Sequence, residues 1–279
     1  MIQFVVDSSA DYQMDELREK GLRLVPLPIM LAGETYVDGV NLGRDQFYQL
    51  MEETGAFPST SQPSPQEFLD IFLEAKEKGD DVICILLSSE LSGTCQTAVL
   101  AKTMAEYDRI YIVDSLTATY NIKVLTDYGL KLAEEGKDAA KITEQLEALK
   151  SHVKVVAALD TLEYLSRGGR INKTAAAIGD MAGLKPLITV TEDGKVKLFG
   201  KTLGRNKAIG QIIRYIQSMD IDENFPVYSI YSYGTENSSQ FEERLTAAGI
   251  TITERLQIGT VIGAHVGPEA FGIIFVTKM

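Results

Sequence analysis

Short, dense apolar runs alternate with longer segments of helical spacing through the first half of the chain. The apolar runs predict strands covered on both faces at residues 2–6, 22–26, 82–87 and 109–113. The helically spaced segments predict helices at residues 12–20, 44–53, 66–78, 95–104, 118–135 and 139–151. Residues 28–31 and 35–36 are expected to be extended. This alternation of strand and helix predicts an α/β fold with a mostly parallel sheet.

The pattern changes after residue 152. Strands are predicted at residues 153–159, 187–191, 195–199, 227–231, 251–257 and 272–277, and helices at residues 174–181, 208–219 and 240–248. Glu192-Asp193-Gly194 separates two of these strands, and an Asp-Gly pair between strands is typical of a hairpin turn. The sequence therefore predicts two domains: an α/β/α domain over residues 1–152, and a smaller α/β domain with an antiparallel or mixed sheet over residues 153–279.

The composition excludes several classes of function. The chain has 279 residues, 45% of them apolar and 24% charged, and a net charge of −12. This charge disfavours nucleic acid and anionic membranes as partners. The N-terminus lacks the features of a signal peptide, so a cytoplasmic location is expected. The two cysteines, Cys84 and Cys95, lack metal-ligand spacing and are expected to be reduced packing residues; no metal site is predicted.

The turn after the strand at 82–87 is a candidate anion site. Ser92-Gly93-Thr94 precedes a predicted helix, whose first backbone N–H groups would favour a phosphate or carboxylate. The alternative is an ordinary helix cap, since Ser and Thr are common capping residues. The turns after Val6, Leu87 and Val113 also carry Asp or Ser. They would line one crevice beyond the carboxyl ends of the strands.

His265 is the second candidate, because it lies between Gly263 and Gly267, where backbone could approach a ligand closely. The other histidine, His152, is expected to cap a helix or to be exposed. Ser92 and His265 could form a nucleophile and base, but G-x-S-x-G, a P-loop and HExxH are all missing. Arg167-Gly168-Gly169-Arg170 does not match the dinucleotide pattern. Binding of an anion is therefore favoured over its chemical transformation.

Taken together, these motifs resemble those of the DegV family, which includes the FakB-type fatty-acid-binding proteins of bacterial fatty acid kinase systems. The resemblance covers essentially the whole chain. It rests on Asp7-Ser8-Ser9-Ala10-Asp11, Ser59-Thr60-Ser61-Gln62-Pro63-Ser64, Leu91-Ser92-Gly93-Thr94, Asp114-Ser115, Leu162-Glu163-Tyr164-Leu165, Gly168-Gly169-Arg170-Ile171 and Gly263-Ala264-His265-Val266-Gly267-Pro268.

The resemblance implies that a long-chain fatty acid lies between the two domains, with its tail in an apolar tunnel. Its carboxylate would meet Thr60, Ser92 and His265, within loops that also hold Ser61, Gly93 and Thr94. A partner kinase of the FakA type would phosphorylate the carboxylate to an acyl-phosphate. ATP would bind only to that kinase, so no cofactor is expected here.

Arg170 and Arg205 match basic positions that are expected to face the kinase or the phosphorylated head group. The chain departs from the family at Leu203, where a basic residue is common, and at Glu269, where glycine is common. The alternatives are a serine-dependent acyl hydrolase or small-phosphate transferase using Ser92 and His265. A lipid-responsive interaction protein with no kinase role is a third possibility.

Overall fold

The computed structural model describes residues 1–38, 40–172 and 183–279. The helix predicted at residues 174–181 lies outside the described residues. The strands are β1 (Ile2–Asp7), β2 (Arg23–Val25), β3 (Pro28–Leu31), β4 (Glu34–Val37), β5 (Ser59–Thr60), β6 (Asp81–Leu86), β7 (Ile110–Asp114), β8 (Val153–Ala158), β9 (Leu184–Val190), β10 (Val196–Leu203), β11 (Tyr228–Tyr231), β12 (Glu254–Gln257) and β13 (Phe271–Val276).

The helices are α1 (Met14–Lys20), α2 (Arg44–Thr54), α3 (Pro65–Lys78), α4 (Thr94–Ala105), α5 (Tyr120–Glu134), α6 (Ala139–Leu149), α7 (Glu163–Arg167), α8 (Arg205–Gln217), α9 (Glu236–Ala247) and α10 (Thr260–Val266). Local sequence sets several of these boundaries. Before α3, the Ser64 backbone N–H donates to Glu67 Oε2 at 2.7 Å, and Pro65 occupies the first helical position. In the part of the chain that the structure describes, no helix is both long and apolar enough to cross a membrane.

A four-stranded parallel sheet has the order β2-β1-β6-β7. Its central strands are apolar on both faces: Val5, Val6, Ile83 and Ile85 are fully buried. This burial explains why these strands appear in the sequence as continuous rather than alternating apolar runs. The predicted parallel α/β arrangement is confirmed.

A second, mixed sheet has the order β10-β9-β8-β13-β11-β12. Its pairs are antiparallel except β11 with β12, which is parallel. The predicted hairpin joins β9 to β10, and Gly194 takes the left-handed conformation that the turn requires, with φ +83°. The prediction of an antiparallel or mixed sheet in the second half of the chain is confirmed.

A small antiparallel sheet, β4-β3-β5, lies in the first half of the chain. Residues 28–31 and 35–36 were expected to be extended and form β3 and β4, whereas β5 was not predicted. The shortest strand of the sheet contains only Ser59 and Thr60, which pair with Met30 and Ile29 of β3. A two-residue strand in a proline-rich loop has no periodic signal. The pairing nevertheless matters, because it fixes the position of Thr60.

One apolar cluster joins the two larger sheets. Ile83 and Ile85 of β6 belong to it together with Val155 and Ala157 of β8. Cys84, on the opposite face of β6, belongs to a separate cluster with Cys95 and the buried faces of α3 and α4. Both thiols are free and buried, and burial raises the pKa of each, as expected for packing residues. The division into domains at residues 152 and 153 stays a prediction.

Candidate ligand-binding site

A cavity of about 80 Å³ opens within the apolar cluster that the two sheets share. Among the described residues, twenty line this cavity; fifteen of them are apolar, and none of the fifteen is aromatic. These are Leu27, Leu87, Leu91, Ala118, Val155, Ala157, Leu165, Ile188, Val190, Val196, Ile230, Ile258, Val261, Ile262 and Val266. Both halves of the chain contribute to this wall, which suits a flexible hydrocarbon rather than a polar metabolite.

The remaining five lining residues are Thr60, Ser92, Thr119, Arg170 and His265. We call the group formed by Thr60, Ser92, Arg170 and His265 the polar end. Thr60 Oγ1 lies 2.9 Å from His265 Nε2, and Ser92 Oγ lies 2.9 Å from Thr94 Oγ1. The guanidinium of Arg170 lies beside Ser92, because its Nε donates to the Leu91 carbonyl at 2.9 Å.

His265 lies in the last turn of α10, a helix that the sequence analysis missed. Gly263 and Gly267 do not admit a ligand. A Cβ at Gly263 would lie 2.4 Å from Tyr48 Oη, and one at Gly267 would lie 2.4 Å from the Tyr164 ring. These glycines allow aromatic side chains to pack closely against α10. Close approach of the backbone to a ligand was predicted at these glycines, but the groups that approach them are side chains of the protein itself.

The His265 imidazole is neutral at physiological pH. Burial and the adjacent Arg170 charge lower its pKa from 6.5 to about 4. Its Nδ1 is buried and has no hydrogen-bond partner among the described residues. A buried acceptor without a partner is tolerated more often than a buried N–H without one. We therefore assign the proton to Nε2, which donates to Thr60 Oγ1 and leaves the threonine hydroxyl hydrogen available to a ligand.

Arg170 is a half-buried cation that pairs with no carboxylate of the described residues. Its two hydrogen bonds go to backbone carbonyls, those of Leu91 and Gly168. Burial lowers the pKa of this guanidinium. A cation held in this way at the end of an apolar cavity favours an anionic ligand.

Four predicted site residues do not line the cavity. Ser61 is exposed, and Arg205 pairs with Glu236 at 3.4 Å. Thr94 is buried and supports Ser92 through their hydroxyl contact. Gly93 makes room for Gln62, whose Oε1 would lie 1.7 Å from a Cβ at that position. Their roles in ligand binding stay predictions.

The acidic side chains in the turns that were predicted to line a crevice instead accept hydrogen bonds from backbone N–H groups. Asp7 Oδ2 accepts from the Leu87 backbone N–H at 2.7 Å, and Asp114 Oδ1 accepts from those of Ser89 and Leu116, both at 3.1 Å. Neither carboxylate lines the cavity. These side chains shape the turns that carry the cavity wall. Glu269, at the position where glycine is common in the family, is exposed to solvent.

Thr119 is a lining residue that the sequence analysis missed. Its hydroxyl donates to Asp11 Oδ2 at 2.6 Å, and Asp11 Oδ1 accepts from the Gly259 backbone N–H at 3.0 Å.

A second set of hydrogen bonds reaches the same segment. Arg44 Nη1 donates to the Tyr120 hydroxyl at 2.7 Å, and the Tyr120 hydroxyl in turn donates to the Gln257 carbonyl at 2.6 Å. This buried network fixes the segment from which α10 begins. The Asp11 motif was recognised, but its partners lie 108 and 248 residues away.

The geometry does not form a serine nucleophile with a histidine base. His265 Nε2 pairs with Thr60, whereas the Ser92 hydroxyl pairs with Thr94. Nor does any described residue orient the imidazole through Nδ1, as such a catalytic arrangement requires. Within the described ranges there is also no group of side chains suited to holding a metal ion.

Comparison with known proteins decides the family. Residues 1–278 match the family model described as "Uncharacterised protein, DegV family". The chain belongs to the DegV family. A DegV domain-containing protein of Caldanaerobacter subterraneus is 36% identical over 279 residues, which is 99% of both chains.

Two solved DegV-type structures are similar over nearly their full length. One, described as showing fatty acid binding of a DegV family protein from Thermus thermophilus, is 32% identical with a TM-score of 0.88 and covers 99% of both chains. The other is a stearic acid-binding protein from Eubacterium ventriosum, 29% identical with a TM-score of 0.89, covering 100% of this chain and 99% of that one. Homologues of this DegV chain therefore bind fatty acids.

Proposed function

We propose that this protein binds a long-chain fatty acid and presents its carboxylate to a partner kinase of the FakA type, which phosphorylates it to an acyl-phosphate. The observation that carries the proposal is the Arg170 guanidinium, which has no carboxylate partner among the described residues and lies at the end of an aliphatic cavity. The fatty acids bound by similar DegV structures support the ligand class. A cytoplasmic location is part of the proposal, since the kinase would draw on ATP.

The tail would supply the affinity. Burial contributes about 0.8 kcal/mol per CH₂, so a dozen methylenes contribute roughly 10 kcal/mol before the costs of association. The fifteen apolar lining residues suit such a chain chemically, because none of their side chains carries a polar group that would lose its hydrogen bonds to water.

The polar end would orient the head group. Thr60 receives a hydrogen bond from His265 Nε2 and donates its own hydroxyl hydrogen to the carboxylate. Ser92 can likewise donate its hydroxyl hydrogen to the carboxylate, because Thr94 can act as the donor in the hydrogen bond between the two hydroxyls. Thr60 and Ser92 donate as neutral hydroxyls, and Arg170 is the one charged donor of the polar end. Because a carboxylate can accept about four hydrogen bonds, one oxygen remains able to attack the γ-phosphorus of ATP. A new carboxyl oxygen–phosphorus bond forms as the bond from phosphorus to ADP breaks.

The kinase step can be tested by reconstitution. The lipid-loaded protein is mixed with a purified FakA-type kinase and ATP, and acyl-phosphate is trapped with hydroxylamine as the hydroxamate. Arg170→Gln should reduce hydroxamate formation at least tenfold, because it removes a charged donor from the head group. Arg167→Gln is the matched control, since Arg167 is exposed and pairs with Glu163. If the loaded wild-type protein yields no hydroxamate with its kinase, the kinase part of the proposal is wrong.

A further inference from the structure

Exposed apolar side chains concentrate on two neighbouring helices. In the described part of the chain ten large apolar side chains are exposed, and two of these are the terminal methionines. Four of the other eight lie on α3 and α4, each between 40% and 52% exposed: Leu73, Val99, Leu100 and Met104. Single exposed apolar residues are ordinary on a protein surface, whereas a cluster of them marks an interaction site. We call these four residues the helix patch.

The apolar residues of α4 share the face that points away from the core. Leu100 and Met104 are four residues apart, which places them one above the other on the helix, and Val99 borders them on the same exposed side. The opposite face of α4 is buried in the apolar cluster beneath it through Ala98 and Ala101. The packing of α4 on the core therefore does not require apolar residues on the outer face.

Two hydrogen bonds align α3 with α4. Gln62, three residues before α3, donates from Nε2 to Thr97 Oγ1 at 3.0 Å near the start of α4. Lys76 Nζ, near the end of α3, donates to the carbonyl of Ala105 at 2.8 Å, at the end of α4. The two helices therefore lie side by side and run in the same direction. Leu73 lies one turn before Lys76, on the flank of α3 that faces α4, so the helix patch is one surface across both helices.

The helix patch adjoins the polar end of the cavity. Helix α4 begins two residues after Ser92, and Leu100 lies about 9 Å along the helix axis from its first residue. The loop that carries Thr60 reaches the same helix through Gln62, whose partner Thr97 lies one turn before Leu100. A standard protein–protein interface is roughly 30 Å across. A partner that covers the polar end therefore also reaches the helix patch.

The size and charge of this surface favour a transient partner over a second copy of the chain. Four half-exposed side chains offer roughly 300 Å² of apolar surface, well below the 800 Å² or so that each partner of a stable complex buries. Two copies, each with a net charge of −12, would also repel one another. The kinase of the proposed function is a transient partner, because it must bind, phosphorylate the head group and leave.

We propose that the helix patch is the docking surface for this kinase, with an apolar face of the kinase on Leu100 and Met104 and its catalytic site over the polar end. This inference rests on the proposed function. Burial of the patch supplies binding energy at a distance from the reacting carboxylate. Substitutions in the patch should therefore change the binding of the kinase and not the phosphoryl transfer itself.

Steady-state kinetics of the reconstituted kinase test the docking surface. The concentration of the lipid-loaded protein is varied at saturating ATP, and hydroxamate formation gives kcat and KM. We expect Leu100→Glu and Met104→Glu each to raise KM at least 10-fold and to leave kcat within twofold, because a carboxylate would be buried against an apolar surface. Both variants should retain palmitate, since neither residue lines the cavity. Val40→Glu is the matched control: Val40 is 66% exposed, lies outside both helices, and should change neither constant.

A fluorescence measurement tests the same contact without turnover. Both native thiols are buried, so a polarity-sensitive maleimide dye should label only the new thiol of Met104→Cys. Addition of the kinase should shift the emission of this dye to the blue, whereas the same dye on Val40→Cys should not respond. No shift at residue 104 would contradict docking on the helix patch.

An unchanged KM in both Glu variants, or a loss confined to kcat, would overturn the docking surface. So would a wild-type protein that sediments as a dimer when Leu100→Glu sediments as a monomer, because a second copy would then cover the patch. Absence of hydroxamate from the loaded wild-type protein would instead overturn the proposed function, so the two failures are distinguishable.

Discussion

Thr60 and His265 are 205 residues apart in the chain, yet Thr60 Oγ1 and His265 Nε2 lie 2.9 Å apart at the polar end of the cavity. Two elements without a clear sequence signal, β5 and α10, hold this pair together. Since Nδ1 of the imidazole has no described partner, the hydrogen bond to Thr60 fixes both the ring and the direction of the threonine hydroxyl.

Loss of this hydrogen bond should reduce phosphorylation more than lipid retention. Thr60→Val preserves the shape of the side chain but removes the hydroxyl. We expect at least a tenfold lower rate of hydroxamate formation in the kinase assay, while the amount of co-purified lipid changes less than twofold, because the tail supplies most of the affinity. Ser59→Ala, at the exposed neighbour in β5, should match the wild type in both measurements. A normal phosphorylation rate in Thr60→Val would contradict the assigned role.

A methyl group at residue 168 should displace His265. A Cβ there would lie 2.4 Å from His265 Nδ1, although the backbone conformation of Gly168, with φ −69°, suits any residue. Gly168→Ala should therefore destabilise the fold by about 1–3 kcal/mol through overpacking and also reduce phosphorylation.

Gly169→Ala separates steric displacement from backbone strain. Gly169 has φ +74° and open space around its Cα, so this variant should lose about 1 kcal/mol of stability and retain phosphorylation. Denaturant unfolding and the kinase assay provide the two measurements. Equal phosphorylation by the two variants would show that the contact with His265 is unimportant.

The lowered pKa of His265 predicts a pH-dependent contribution to stability. Its pKa is about 4 in the folded protein and about 6.5 in the unfolded chain. Between these values the unfolded state binds more protons, so the contribution is fully present above pH 6.5 and is lost as the pH falls toward 4. Its full size is about 3 kcal/mol.

Asp11 opposes this trend, because burial raises the pKa of its carboxyl to about 7. Over the range from pH 4 to 7 the folded state holds that proton more strongly than the unfolded state, so stability falls as the pH rises. The informative quantity is thus the difference in the free energy of unfolding between the wild type and His265→Gln. This difference should grow in favour of the wild type from pH 4.5 to 7. A difference independent of pH would contradict a neutral, buried imidazole.

The Asp11 side chain should stabilise the fold mainly as a hydrogen-bond acceptor rather than through its negative charge. Asp11→Ala leaves the Gly259 N–H and the Thr119 hydroxyl without their acceptors, at an expected cost of about 2–4 kcal/mol. Asp11→Asn retains an oxygen for Gly259, and its amide can donate to Thr119, so less than half of that loss is expected. Urea unfolding at pH 7 compares the two variants. If Asn were as destabilising as Ala, the ionised carboxylate itself would be essential.

The sequence predicted those elements whose signal is local. Strands β1, β6 and β7 were placed within about a residue, since a buried parallel strand is a continuous apolar run. Helix α10 was missed because Gly263 suggests a loop. In the structure this glycine is required by the packing of Tyr48, which comes from a helix more than 200 residues earlier.

Predicting the site required more than local pattern. The resemblance to DegV proteins identified Thr60, Ser92 and His265 as carboxylate contacts. It paired Arg170 with Arg205 as residues facing the kinase or the phosphorylated head group. The structure brings Arg170, but not Arg205, to the same end of the cavity as the other three.

Thr119 was not identified. A threonine before a helix resembles an ordinary cap. Only its hydrogen bond to Asp11 distinguishes it.

The most direct test of ligand binding is native mass spectrometry of the purified protein, followed by denaturation and identification of the released lipid. The account predicts a mass excess over the 30.6 kDa chain that resolves to one or two fatty acids and disappears on denaturation. A protein that is lipid-free and takes up no added fatty acid would contradict the account.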